Sequence, residues 1–304
     1  MRFRIAFAAL AIALSANVIA APLVVPFDFS RSAIGLNVTV KGVPLYMILD
    51  TGVDPSVIDI HLADKLRLKV DRAGGGEAAG GGNAAHALVF PTRIEKLAFG
   101  GRSFASAEAL AAGMATLSAH YGRKLDGVLG YSFLTDKIVL IDYPRHTLAL
   151  LDRPEEAASM VGQCGQQWSA PLRSFKDDSI PVIAEFRFGT ATAPISLDTG
   201  SNGGIALYQA ALDLPGMRGA LVEKDEITYS GARGNAKAKA YALNEPVGFG
   251  PFVLPSGQAV TLRNDKGSSD TRVANIGNKL FAQMQLKMLL DYRARRMTFY
   301  GGCH

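Results

Sequence analysis

Asp50 and Asp198 each stand at the end of a strand-like apolar run and open the same triplet, "YMILDTG" over residues 46–52 and "PISLDTG" over residues 194–200. A carboxylate at the end of a buried strand is costly as a lone charge. The cost falls when neighbouring backbone N–H groups donate to it. Gly52 and Gly200 let the chain fold back tightly, so that those N–H groups point inward. Thr51 and Thr199 add hydroxyls able to reach backbone or an opposite loop. Two such loops set face to face bring two carboxyls together. They cannot both ionise cheaply, so they share one proton. One then takes a proton from water while the other polarises a carbonyl, which is general acid–base chemistry suited to splitting an amide without a covalent intermediate.

Elements that must position these residues recur in matched frames. Ahead of the first triplet Val38 and Val40 alternate with Asn37 and Thr39, and ahead of the second Ala184, Phe186 and Phe188 alternate with Glu185 and Arg187. Period-two alternation predicts half-buried strands. A glycine turn follows, Gly42 lying 8 residues before Asp50 and Gly189 lying 9 before Asp198. Downstream, "DGVLGYSFL" puts Gly130 80 residues after Asp50, and "ANIGNKLFA" puts Gly277 79 residues after Asp198. An Asp-Tyr pair comes next, Asp142-Tyr143 at a distance of 92 residues and Asp291-Tyr292 at 93. Each frame closes on a strand, "HTLALL" or "RMTFYG". This is the signature of a duplicated unit. The expected halves span residues 22–153 and 178–304, with a linker at 154–177. Helical pattern is confined to "HLADKLRL", the stretch after Gly130 and "NKLFAQMQLKML". The fold class is therefore all-β, with each half a small barrel-like sheet.

Composition agrees with a folded, core-forming chain: of 304 residues 48% are hydrophobic and 19% charged. The net charge of +5 is mild and its basic residues scattered, which argues against a nucleic-acid partner. Residues 1–21 read as an export signal, with Arg2 and Arg4 before the apolar "IAFAALAIALSANVIA" and small residues at Ala20 and Ala21. No other stretch approaches the length of a membrane span, so a periplasmic or secreted location without stable membrane insertion is expected. Cys164 and Cys303 are the two cysteines, an even count that favours one disulfide in an exported chain. The five histidines are dispersed, and no metal site is expected.

The paired motifs "ILDTG…VLG" and "SLDTG…NIG" resemble those of the aspartic proteases, and the short halves resemble the retropepsin-like proteases of bacteria more than pepsin. The resemblance implies a cleft between two fused halves, Asp50 and Asp198 as the catalytic dyad, an extended peptide substrate and no cofactor. With both triplets in one chain, a monomer suffices for the dyad. It also implies β-hairpin flaps, for which the candidates are residues 74–90, with Gly81 and Gly82, and residues 227–241, with Tyr229, Ser230 and Gly231. Two positions depart from the family pattern: Asn275 stands where an apolar residue is usual and is expected to weaken its strand, and Val53 stands where a small residue is usual. Ser201 occupies the position equivalent to Val53. By the pepsin-like arrangement its hydroxyl is expected to donate to Asp198, leaving the shared proton on Asp50. The alternative is a catalytically degenerate protein that keeps the fold and only binds peptide.

Overall fold

The computed structural model describes residues 21–83, 87–174, 179–264 and 272–304. The export segment expected at residues 1–21 lies outside them except for Ala21. Strands dominate, and the chain has the all-β acid-protease fold.

Among the described residues the strands form three sheets. In the first half a nine-stranded sheet runs, edge to edge, through Gly76–Glu77, Leu88–Ile94, Ala107–Ala112, Ser56–Asp59, Gly127–Leu129, Val43–Leu49, Gly35–Val40, Leu97–Phe99 and Arg102–Ser103. A ten-stranded sheet in the second half follows the same order through Leu221–Gly231, Gly234–Leu243, Gln258–Leu262, Ile205–Leu207, Ala274–Ile276, Ala191–Leu197, Pro181–Phe188, Val247–Phe249 and Phe252–Leu254, with Arg173–Ser174 added beside Pro181–Phe188. The strands that carry the aspartates are central. Val43–Leu49 lies between Gly35–Val40 and the parallel Gly127–Leu129, and Ala191–Leu197 lies between Pro181–Phe188 and the parallel Ala274–Ile276. Both strands are buried on both faces over the residues that lead into the triplets, Leu45–Leu49 and Ile195–Leu197, which explains the largely apolar runs there.

A third, six-stranded sheet joins the halves. Ile138–Asp142 pairs antiparallel with Lys287–Asp291, flanked on one side by Thr147–Leu151 and Leu23–Pro26 and on the other by Arg296–Cys303 and Cys164–Pro171. Its edge strand Cys164–Pro171 falls in the segment read from sequence as a linker, and its first residue is bonded through sulfur to Cys303. Across the central pair the buried Lys287 meets the buried Asp142 at 3.1 Å, and its ammonium also donates to the Val161 carbonyl at 2.7 Å. One hydrophobic core runs from the first-half sheet to the second through this joint.

Two details differ from the sequence expectation. A register shift between Ile183 and Phe186 turns both Ala184 and Glu185 to solvent, so the expected inward placement of Ala184 fails at a bulge. The helix expected over "NKLFAQMQLKML" stops at Gln283, and the apolar run resumes as the strand Lys287–Asp291 after Gln285 takes a left-handed conformation.

Candidate active site

Each aspartate is delivered by its strand and anchored by the parallel neighbour. The Asp50 N–H donates to the Leu129 carbonyl at 3.0 Å, and the Asp198 N–H to the Ile276 carbonyl at 2.9 Å. The two late glycines thus follow strands that hold the catalytic candidates in place. Gly130 and Gly277 are required for space: a Cβ would stand 2.6 Å from the Val53 carbonyl oxygen in one case and 2.7 Å from that of Ser201 in the other.

The threonines lock the two loops together. Thr51 Oγ1 donates to the Leu197 carbonyl at 2.8 Å and accepts from the Thr199 N–H at 3.0 Å. Thr199 Oγ1 donates to the Leu49 carbonyl and accepts from the Thr51 N–H, both at 3.0 Å. Both threonines are buried, so all four bonds are shielded from water.

Gly52 and Gly200 serve a purpose that the sequence did not reveal. Neither has a positive φ. Each instead faces the carboxyl group of the other triplet. A Cβ at Gly200 would lie 2.1 Å from Asp50 Cγ, and one at Gly52 would lie 2.7 Å from Asp198 Cγ. The missing side chains make room for the carboxyls to approach, close enough for the charge of Asp198 to act on Asp50.

The surroundings of the two carboxyls are unequal. Asp50 Oδ1 accepts from the Gly52 N–H at 2.6 Å, and the Gly200 N–H also favours its charged form. Asp198 Oδ1 accepts from the N–H groups of both Gly200 and Ser201, each at 2.9 Å, and its Oδ2 accepts from Asn275 Nδ2 at 2.7 Å. Burial, and then the charge of Asp198, push the Asp50 carboxyl well above the usual carboxylate range.

Ser201 does not act as expected. Its backbone N–H reaches Asp198, but its hydroxyl accepts from the Gly203 N–H at 3.4 Å and is not bonded to the carboxylate. Asn275, expected to weaken its strand, instead supplies a donor to the dyad. Sequence reasoning missed Asn278. Its side chain donates to the carbonyls of Thr199 and Ser201 at 2.5 and 3.1 Å and accepts from the Tyr143 hydroxyl at 2.8 Å. The available signal was its position directly after Gly277, where the first frame has Tyr131. Tyr292, the counterpart of Tyr143, packs on Tyr131 with ring centroids 6.0 Å apart, and among the described residues its buried hydroxyl has no hydrogen-bond partner.

The flap candidates meet. The Arg233 N–H donates to the Gly81 carbonyl at 2.8 Å, and a Cβ at Gly231 would lie 2.4 Å from that same oxygen. Gly82, at φ +113, would place a Cβ 2.4 Å from the Arg233 backbone. Residues 84–86 of the first candidate lie outside the described residues. The second is a long hairpin, Leu221–Gly231 with Gly234–Leu243, whose turn falls at Ala232-Arg233. Ser230 bonds within this hairpin to Asn235, and Tyr229 is buried beneath the Arg263 guanidinium, 4.3 Å from its ring centroid. The hairpin also borders a cavity of about 410 Å³, lined by Ala115, Thr116, Ala119 and His120 of the first half and by Thr228 and Asn235, and neither aspartate lines it.

Among the described residues no cluster of His, Cys, Asp and Glu is placed to hold a metal, and no helix is long and apolar enough to cross a membrane. No curated protein matches the chain. Residues 36–133 match the family model described as aspartyl protease, a stretch that contains the first triplet and Gly130.

Proposed function

We propose that this protein is an exported aspartic endopeptidase in which Asp50 and Asp198 form one catalytic pair. The observation that carries the reading is the mutual fit of the triplets, with each glycine cleared for the opposite carboxyl and each threonine bonded to the opposite loop. The aspartyl protease match supports it on the Asp50 side. On the Asp198 side it is supported by the repeated strand order, which we read as two copies of one retropepsin-like unit fused in a single chain.

In the proposed reaction the ionised carboxylate takes a proton from water. The oxygen adds to the scissile carbonyl carbon while the protonated carboxyl donates to the carbonyl oxygen. The tetrahedral diol then collapses. The C–N bond breaks, the amide nitrogen receives a proton from the pair, and a new carboxyl and a new amine are released. No electron is transferred and no covalent enzyme intermediate forms. The meeting loop and hairpin are the proposed flaps, and opening them would admit an extended peptide. Export is supported by the apolar N-terminal sequence and the Cys164–Cys303 bond.

Incubation with a mixed peptide library, read by mass spectrometry as new internal termini, tests the function. Cleavage by the wild type and its loss in both Asp50→Asn and Asp198→Asn is expected. Absence of cleavage by the wild type across acidic and neutral pH would instead support a protein that binds peptide without turnover.

A further inference from the structure

We infer that Asn275 is a positioning residue of the carboxyl pair, which holds Asp198 as the carboxylate that activates water and so leaves the shared proton on Asp50. This deepens the peptidase reading and rests on it.

Asn275 lies in the middle of the strand Ala274–Ile276, level with Ser196 on one side and Ala206 on the other. It is 7% exposed. A buried amide is costly unless its polar atoms are paired. The same register position of the first half, beside Ile48, holds Val128, which is 6% exposed. A valine therefore satisfies the strand, and an asparagine needs another reason. Its Nδ2 is 2.7 Å from Asp198 Oδ2. The reverse amide orientation would set two acceptors against each other unless Asp198 carried the proton. A donor aimed at a carboxylate favours the charged form.

The difference between the halves is consistent at three aligned positions. Val53, Val128 and Tyr131 surround the first triplet where Ser201, Asn275 and Asn278 surround the second. Of these last three side chains Asn275 is the one that donates to a carboxyl of the pair. Among the described residues neither aspartate is ion-paired with a lysine, arginine or histidine. Tyr292, packed on Tyr131, is the titratable group that acts on Asp50 from beyond the triplets, and Tyr143 lies one contact further out, behind Asn278. Tyr143 is committed to Asn278, and burial drives the Tyr292 hydroxyl upward, so both stay neutral below pH 10. The bias between the carboxyls therefore comes from fixed dipoles, and Asn275 is the side-chain dipole that touches one of them directly.

The test separates the two carboxyls. In full-length protein carrying Asp50→Asn and ¹³C-carboxyl-labelled aspartate, Asp198 is the remaining carboxyl of the pair and its midpoint is read by NMR. Adding Asn275→Val should raise that midpoint by about one pH unit, a tenfold change in proton affinity. In the Asp198→Asn background the same substitution should leave the Asp50 midpoint in place. If valine prevents folding, Asn275→Ala makes the same comparison. An Asp198 midpoint that does not move, or an Asp50 midpoint that moves equally, would overturn the assignment. This titration needs no turnover, so it stands even if the protein cleaves nothing. In an active enzyme Asn275→Val should also move the acid limb of the kcat/KM profile to higher pH. An unmoved limb in a folded, active variant contradicts the role as well.

Discussion

At the scale of the residue, burying Asp50 beside Asp198 costs the fold stability. Asp50 keeps its proton more tightly in the folded chain than an exposed aspartate does. Its folded midpoint is raised, so the native state binds more protons than the unfolded state above about pH 4, and stability falls as pH rises through the folded midpoint. Asp50→Asn removes this penalty. Its melting temperature should equal that of the wild type below about pH 4 and exceed it at neutral pH, by on the order of 3 °C for each kcal/mol relieved. Thermal melts of both proteins from pH 3 to 8 check this, and a constant difference would contradict it. Ser201→Ala should leave the acid limb of the pH–rate profile unmoved, because the serine hydroxyl serves the Gly203 N–H and not Asp198. The aspartates, threonines and glycines of the triplets were legible from residue type alone. The identity of the donor to Asp198 was not, since Asn275 is 77 residues away and reaches the carboxylate only through strand register.

At the scale of the element, the threonine lock ties two loops whose strands belong to different sheets. Thr51→Val keeps the shape but removes one donor and one acceptor, leaving the Leu197 carbonyl and the Thr199 N–H without their partners. Each buried group left unsatisfied costs about 1–3 kcal/mol. Denaturant unfolding should therefore show a loss of about 2–6 kcal/mol, and a loss under about 1 kcal/mol would mean that the loops re-pair. Alternation and glycine spacing revealed the central strands because those signals are local. The bulge at Ile183–Phe186 was hidden, since an alternating pattern carries no mark of the extra residue that shifts its register. The flap hairpin was legible at Tyr229-Ser230-Gly231 but its turn falls two residues later, at Ala232-Arg233, where neither residue is a customary turn former.

At the scale of the whole molecule, the six-stranded sheet fixes how the triplets meet. Asp142 and Lys287, one from each half, form a buried ion pair at its centre. Lys287→Met leaves Asp142 as a buried charge with no cation beside it except the exposed Arg145, whose guanidinium lies 3.8 Å away. Loss of one partner of a buried pair costs about 3–5 kcal/mol. Urea unfolding of Lys287→Met should show a loss of that size, and Asp142→Asn combined with Lys287→Met should recover part of it. No recovery would mean that the lysine acts through its carbonyl contacts alone. The repeated Asp-Tyr pairs marked the duplication in the sequence but not the joining sheet, whose strands pair across the halves, nor its asymmetry, with Tyr143 bonded to Asn278 and, among the described residues, Tyr292 without a hydrogen-bond partner.

The most direct measurement is kcat/KM on one cleaved peptide, from pH 2 to 8, for the wild type, Asp50→Asn and Asp198→Asn, with melts to confirm that each is folded. Paired carboxyls sharing a proton should give the wild type a bell-shaped profile whose limbs belong to the pair. Each single substitution should lower kcat/KM by about 10²–10⁴ at every pH, because removing either group ends the acid–base exchange. A folded variant that retains activity within about tenfold of the wild type would show that its aspartate is not part of the reaction, and would contradict the dyad.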